Sequence, residues 1–88
     1  MLEIGMLVVS CTGRDAEAVF AVIGKTDTHL VLADGRKRRI EKPKHKKEKH
    51  VKVLGKSLAK DSRALLESGK LTNKMLYRSI KESLNETV

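Results

Sequence analysis

Three short apolar runs, Met6-Leu7-Val8-Val9, Val19-Phe20-Ala21-Val22-Ile23 and Leu30-Val31-Leu32, constrain most tightly what this chain can fold into. Each is rich in β-branched residues and bounded by turn formers, which predicts short strands. Thr12-Gly13-Arg14-Asp15 separates the first two runs and Gly24-Lys25-Thr26-Asp27 the next two. Asp34-Gly35 is a two-residue hairpin signal, because a type I′ turn needs positive φ at both central positions. The strand after it is expected over residues 36–40, where period-2 alternation puts Arg36, Arg38 and Ile40 on one face and Lys37 and Arg39 on the other. Pro43 is expected to stop that strand, residues 44–49 read as a solvated loop, and His50-Val51-Lys52-Val53-Leu54 as a last strand. Four or five short strands at roughly ten-residue spacing predict a small barrel or sandwich.

After Gly55 the pattern becomes helical. Leu58, Ala59, Leu65 and Leu66 fall at helical spacing between Ser57 and Ser68, with Gly69 placed to end the helix. Thr72 is a candidate cap for a second helix carrying Met75, Leu76, Ile80 and Leu84 as one apolar stripe. The expected organisation is a β-rich unit over residues 1–55 and a two-helix extension over 56–88. With 88 residues in all, its core must be small.

Charge is distributed very unevenly. Between Arg36 and Lys52 ten basic side chains face only Glu41 and Glu48, a surplus of eight in 17 residues. The rest of the chain carries nine basic and nine acidic groups, so this segment holds the entire net charge of +8. A local field of that sign recruits polyanions, since each neutralised phosphate releases condensed counterions. The bland alternative is a solvated charged loop without a target. Against it, like charges at this density repel one another unless an anion neutralises them.

What the chain lacks narrows the partner. Phe20 and Tyr77 are its only aromatic residues, and Phe20 lies within an apolar run where a core role is expected. Readers of single-stranded RNA stack bases on exposed rings, which this chain cannot supply in number. The same shortage disfavours proline-rich ligand grooves and methyl-lysine cages. A membrane is not an expected partner, because the basic segment has no apolar residues suited to entering an interface. No stretch approaches the length of a membrane span. The opening residues resemble a lipoprotein signal only superficially, with Glu3 where a positive charge belongs. The single Cys11 excludes an internal disulfide and suits a reducing, cytoplasmic setting.

Catalysis and metal binding are not expected either. His45 and His50 are five residues apart among lysines, and His29 is distant in sequence. No spacing resembles a zinc site, and nearby cations disfavour a metal ion, so no cofactor is expected. A nucleophilic Cys11 would need His29 brought beside it by strand pairing, and a small half-buried role for this cysteine is the simpler expectation. No small-molecule substrate is expected. What remains is recognition of folded nucleic acid by its backbone and shape, with arginines able to add bidentate phosphate or guanine contacts. Gly13 and Arg14 form a subsidiary candidate, since a glycine turn exposes backbone N–H groups beside a cation.

Taken in order, these features resemble the small KOW-motif RNA-binding proteins of bacteria. Those are similar to large-subunit ribosomal proteins of the eukaryotic and archaeal "fourteen-e" kind. The likeness is carried by Gly5-Met6-Leu7-Val8-Val9, then Thr12-Gly13-Arg14-Asp15 leading into Val19-Phe20-Ala21-Val22-Ile23. It continues through Leu30-Val31-Leu32-Ala33-Asp34-Gly35, residues 39–47 and Leu71-Thr72-Asn73-Lys74. The resemblance implies a five-stranded SH3-like barrel whose loops contact structured RNA, ribosomal RNA foremost, with ribosomal proteins as further partners. By that analogy Gly13 and Arg14 lie in the first KOW loop. Arg36, Lys37, Arg38, Arg39, Lys42, Lys44, His45, Lys46, Lys47, Lys49 and Lys52 form the main RNA-facing edge. One departure is Glu17, which stands where the KOW pattern has a glycine and would repel phosphate, so a weaker first-loop contact is expected.

The expectation is therefore a non-enzymatic, ribosome-associated RNA-binding protein. The alternative is a protein-interaction module that meets an acidic partner through the β-unit and the helices. Its cue would be exposure of the Met75, Leu76, Ile80, Leu84 stripe. General DNA binding is a third possibility, separable by affinity for duplex DNA.

Overall fold

The computed structural model describes residues 2–11 and 18–85. The chain forms β1 (Met6–Ser10), β2 (Val19–Lys25), β3 (Leu30–Ala33), β4 (Lys44–Lys46) and β5 (Val51–Ser57), followed by α1 (Lys60–Glu67) and α2 (Asn73–Leu84). The five strands make one antiparallel sheet in the order β4-β3-β2-β1-β5, and a single 3₁₀ turn over Glu48–His50 leads into β5. All four strand pairings are antiparallel.

Both faces of the sheet are buried across β1, β2 and β3, which is why these strands read as continuous apolar runs rather than as a polar and apolar alternation. Register aligns Leu7 with Ala21 and Ala21 with Ala33, giving a row across three strands. That row clusters with Leu58, Leu71, Leu76 and Ile80, so the helical segment covers this face. Two of the three residues in the row are alanines, and small side chains there leave room for a helix to lie close. The opposite face gathers Val8, Phe20, Val22, Leu30 and Leu32 with Leu2, Met6, Ala18 and Val51 packed against them. Phe20 is fully buried, as its place in an apolar run predicts.

The helix-ending and capping signals in the sequence are used as written, but α1 starts only at Lys60, so that Leu58 and Ala59, expected within it, precede it and Ser57 belongs to β5. The Thr72 hydroxyl accepts from the Met75 N–H at 3.2 Å. Gly69, at φ +75°, ends α1 with Lys70 N–H donating to Leu65 O at 2.8 Å and Gly69 N–H to Leu66 O at 3.1 Å. Of the apolar stripe, Leu76 and Ile80 are buried and Leu84 packs at the cluster edge, leaving Met75 exposed.

The fourth strand departs from expectation. Residues 36–40 form no strand, and Asp34-Gly35 makes no two-residue hairpin. Asp34 Oδ1 instead accepts from the N–H groups of Arg36 and Arg38, each at 2.9 Å. This side-chain turn diverts the chain into a loop over residues 34–43. Pro43 does not end a strand but immediately precedes one, a position where its missing N–H costs the ladder nothing. Lys44–Lys46, expected in a solvated loop, is β4 itself. The last strand runs on past Leu54 and Gly55 to Ser57.

Candidate nucleic-acid interface

Two structures made from the basic segment carry its charge. The first is the 34–43 loop, whose shape is set from α2. Asn73 Oδ1 accepts from the Ile40 N–H at 2.7 Å, and Asn73 Nδ2 donates to the Glu41 carboxylate. Glu41 Oε2 in turn accepts from Arg39 Nε at 2.9 Å. These bonds, Arg39 first and Asn73 second, lower the Glu41 carboxyl to about 2. Gly35, at φ +82°, lies so close to the Asn73 carbonyl that any Cβ would collide with it. Arg36 Nη1 donates to the Tyr77 hydroxyl at 2.7 Å, and this bond, with the charge behind it, pulls the phenol below its ordinary range. The loop thus presents Arg36, Lys37, Arg39 and Lys42 exposed and Arg38 half-buried.

The second structure is a hollow of about 320 Å³ at β4 and the 3₁₀ turn. Its wall holds four lysines, Lys44, Lys46, Lys47 and Lys49, and three histidines, His29, His45 and His50. Strand pairing brings these together. Leu30, Val31 and Leu32 of β3 lie opposite Lys46, His45 and Lys44, which sets the β2–β3 turn with His29 beside the basic strand. No carboxylate other than Glu48, within the 3₁₀ turn itself, interrupts the sequence from Lys44 to His50. The hollow is shallow and open, so these cations set a positive potential along an accessible surface.

The expected site residues divide accordingly. Lys44, His45, Lys47 and Lys49 share the hollow, whereas Lys46 does so while 8 % exposed. Expected in a solvated loop, Lys46 is covered because its segment pairs with β3. Arg39 is bound to Glu41, and Arg38, Lys44 and Lys46 have further interactions within the molecule. Lys52 is exposed on β5, opposite Val9, at the other edge of the sheet from β4, and does not line the hollow. Gly13, Arg14 and Glu17 lie outside the described residues.

Cys11, expected to be half-buried, is exposed. Its N–H donates to His50 O at 2.9 Å, so strand pairing sets it beside His50 and not His29. Among the described residues no three His, Cys, Asp or Glu side chains are grouped to hold a metal ion. No described helix is long and apolar enough to cross a membrane. Of the two aromatic rings, Phe20 is core, and Tyr77 is half-buried with the charged ends of Arg36 and Lys81 5.0 and 5.5 Å from its centroid.

Sequence reasoning missed His29 and His50 as members of the hollow, and Asn73 and Tyr77 as supports of the loop. His50 sits inside the basic run and carried a signal. His29 carried none, because its neighbours are set by a β3–β4 pairing that an unstructured 44–49 segment would not make. The chain matches no protein-family model and no curated protein.

Proposed function

We propose that this is a non-enzymatic RNA-binding protein that docks on structured RNA, ribosomal RNA foremost, through contacts to the phosphate backbone. The observation that carries this reading is the shallow hollow at β4, lined by four lysines and three histidines beside an arginine-rich loop. Lysine and arginine contacts to phosphate position a protein on a duplex or a fold without reading its bases, which suits a surface without stacking rings. The resemblance to KOW-motif proteins supports the ribosomal assignment. It also supports reading the β1–β4 meander, with β5 returning after the 3₁₀ turn to pair with β1, as an SH3-like barrel.

A protein-interaction role through the apolar stripe loses its cue, since Leu76 and Ile80 are buried against the sheet. The test is a salt titration of binding to a structured RNA. With about six phosphates neutralised, log K should fall against log salt with a slope of about −4 to −5. A flat response over a tenfold salt range rejects the reading. Equal affinity for duplex DNA would replace it with general nucleic-acid binding.

A further inference from the structure

The face of α2 turned away from the core carries a charge pattern that the basic segment does not include. Lys74, Arg78 and Lys81 are all exposed and stand at i, i+4 and i+7. At about 100° per residue they fall within an arc of roughly 60° and span about 10 Å of helix. Leu76, Ser79, Ile80 and Ser83, which this helix buries, lie on the opposite side. Between the two faces are Asn73 and Tyr77, the residues that hold the 34–43 loop. Tyr77 joins the surfaces directly, with the charged ends of Arg36 of the loop and Lys81 of the helix 5.0 and 5.5 Å from its ring centroid.

Such crowding is unfavourable without an anion. Like charges one turn apart repel, and among the described residues none of Lys74, Arg78 and Lys81 forms an ion pair with a carboxylate. Glu82 is the single acid within α2, against three cations. We propose that the outward face of α2 is a second RNA-backbone site, in which Lys74, Arg78 and Lys81 continue the 34–43 loop through Arg36 and Tyr77. The inference rests on the RNA-binding reading above and extends it: the helical extension binds as well as supports. A span of about 10 Å is long enough to meet successive phosphates of one strand, which follow each other at about 3.4 Å along the axis of B-form DNA and more closely along A-form RNA.

The test compares two double variants of equal charge loss on one labelled RNA hairpin, each titrated with salt. Lys74→Gln/Lys81→Gln removes helix contacts. Lys60→Gln/Lys70→Gln removes two exposed lysines from α1 and the turn after it. The helix variant should bind about tenfold more weakly, with its log–log slope shallower by about 1.5 to 2. The control should keep the wild-type slope and stay within about twofold in affinity. Arg78→Gln alone reads the same face and should make the slope shallower by about 0.9. Equal losses in the two double variants, or none in the helix variant while the wild type stays salt-dependent, overturn this inference and leave the function standing. A wild type that binds without salt dependence overturns both.

Discussion

Asn73 engages the loop with both ends of its amide, taking the Ile40 N–H on one side and holding Glu41 on the other. Its effect on Glu41 is open to titration. The Glu41 carboxyl drops from an ordinary value of 4.5 to about 2 because Arg39 and then Asn73 donate to its charged form. A depressed folded value means the contribution is complete above pH 4.5, fades as pH falls, and is gone below about 2. Glu41 and Arg39 side chains are 60 % and 61 % exposed, so water screens the pair and the effect is small. The melting-temperature difference between wild type and Glu41→Gln should therefore hold steady above pH 5 and shrink between about pH 4.5 and 2. Melts of the two proteins across that range check it, since their difference isolates what the substitution changes. A gap that ignores pH would mean the Glu41 charge does nothing for the loop. At this scale the sequence was legible where partners are local. Thr72 caps a helix three residues away, whereas Asn73 meets residues 33 and 32 positions back, which no spacing rule reveals.

α2 was the most legible element, because a stripe at helical spacing has only one face to bury. Its depth can be tested at neighbouring positions. Leu76 is fully buried in the cluster with Leu7, Ala21 and Ala33, while Met75 is 39 % exposed. Leu76→Ala should cost about 3 kcal/mol, the sum of lost transfer energy and the cavity left behind. Met75→Ala should cost well under about 1 kcal/mol, as expected for a substitution at the surface. Urea unfolding of both variants measures the contrast, and similar losses would mean that α2 does not sit on the sheet by that face. The fourth strand was not legible, for physical reasons particular to a few residues. Alternation over residues 36–40 suited a strand, but Asp34 captured two N–H groups and bent the chain first. Gly35 looked like half of a type I′ turn. Its positive φ serves instead a close approach to the first turn of α2, a contact 38 residues away in sequence. Lys44-His45-Lys46 has no apolar residue to mark it as β-structure, and only the β3 edge makes it one.

For the whole molecule, one consequence of charge segregation has opposite signs for folding and for binding. The net charge is +8, and the chain outside residues 36–52 is neutral. The folded protein holds this net charge within a body 31 Å in its longest extent, whereas an unfolded chain spreads it over a larger volume, so self-repulsion penalises the compact state. The Debye length shrinks from about 30 Å at 0.01 M salt to about 8 Å at 0.15 M, which spans distances comparable to the 31 Å long axis of this protein. Added salt should therefore relieve the repulsion and raise the melting temperature of the free protein. For a chain of this size, a gain of about 1 kcal/mol corresponds to roughly 4–8 °C. The same salt should weaken RNA binding, since counterion release loses its advantage. Sodium chloride suits the measurement, because sulfate and phosphate also strengthen apolar burial and would confuse the cause. Melts of the free protein from about 0.01 to 0.15 M, run beside RNA titrations over the same range, should move in opposite directions. Replacing Lys47 and Lys49 by Gln should flatten both responses at once, because the exposed lysines of the hollow would be the common source. A melting temperature that falls with added chloride would mean that net attraction, not repulsion, governs the charged wall, and that its lysines are already neutralised within the fold.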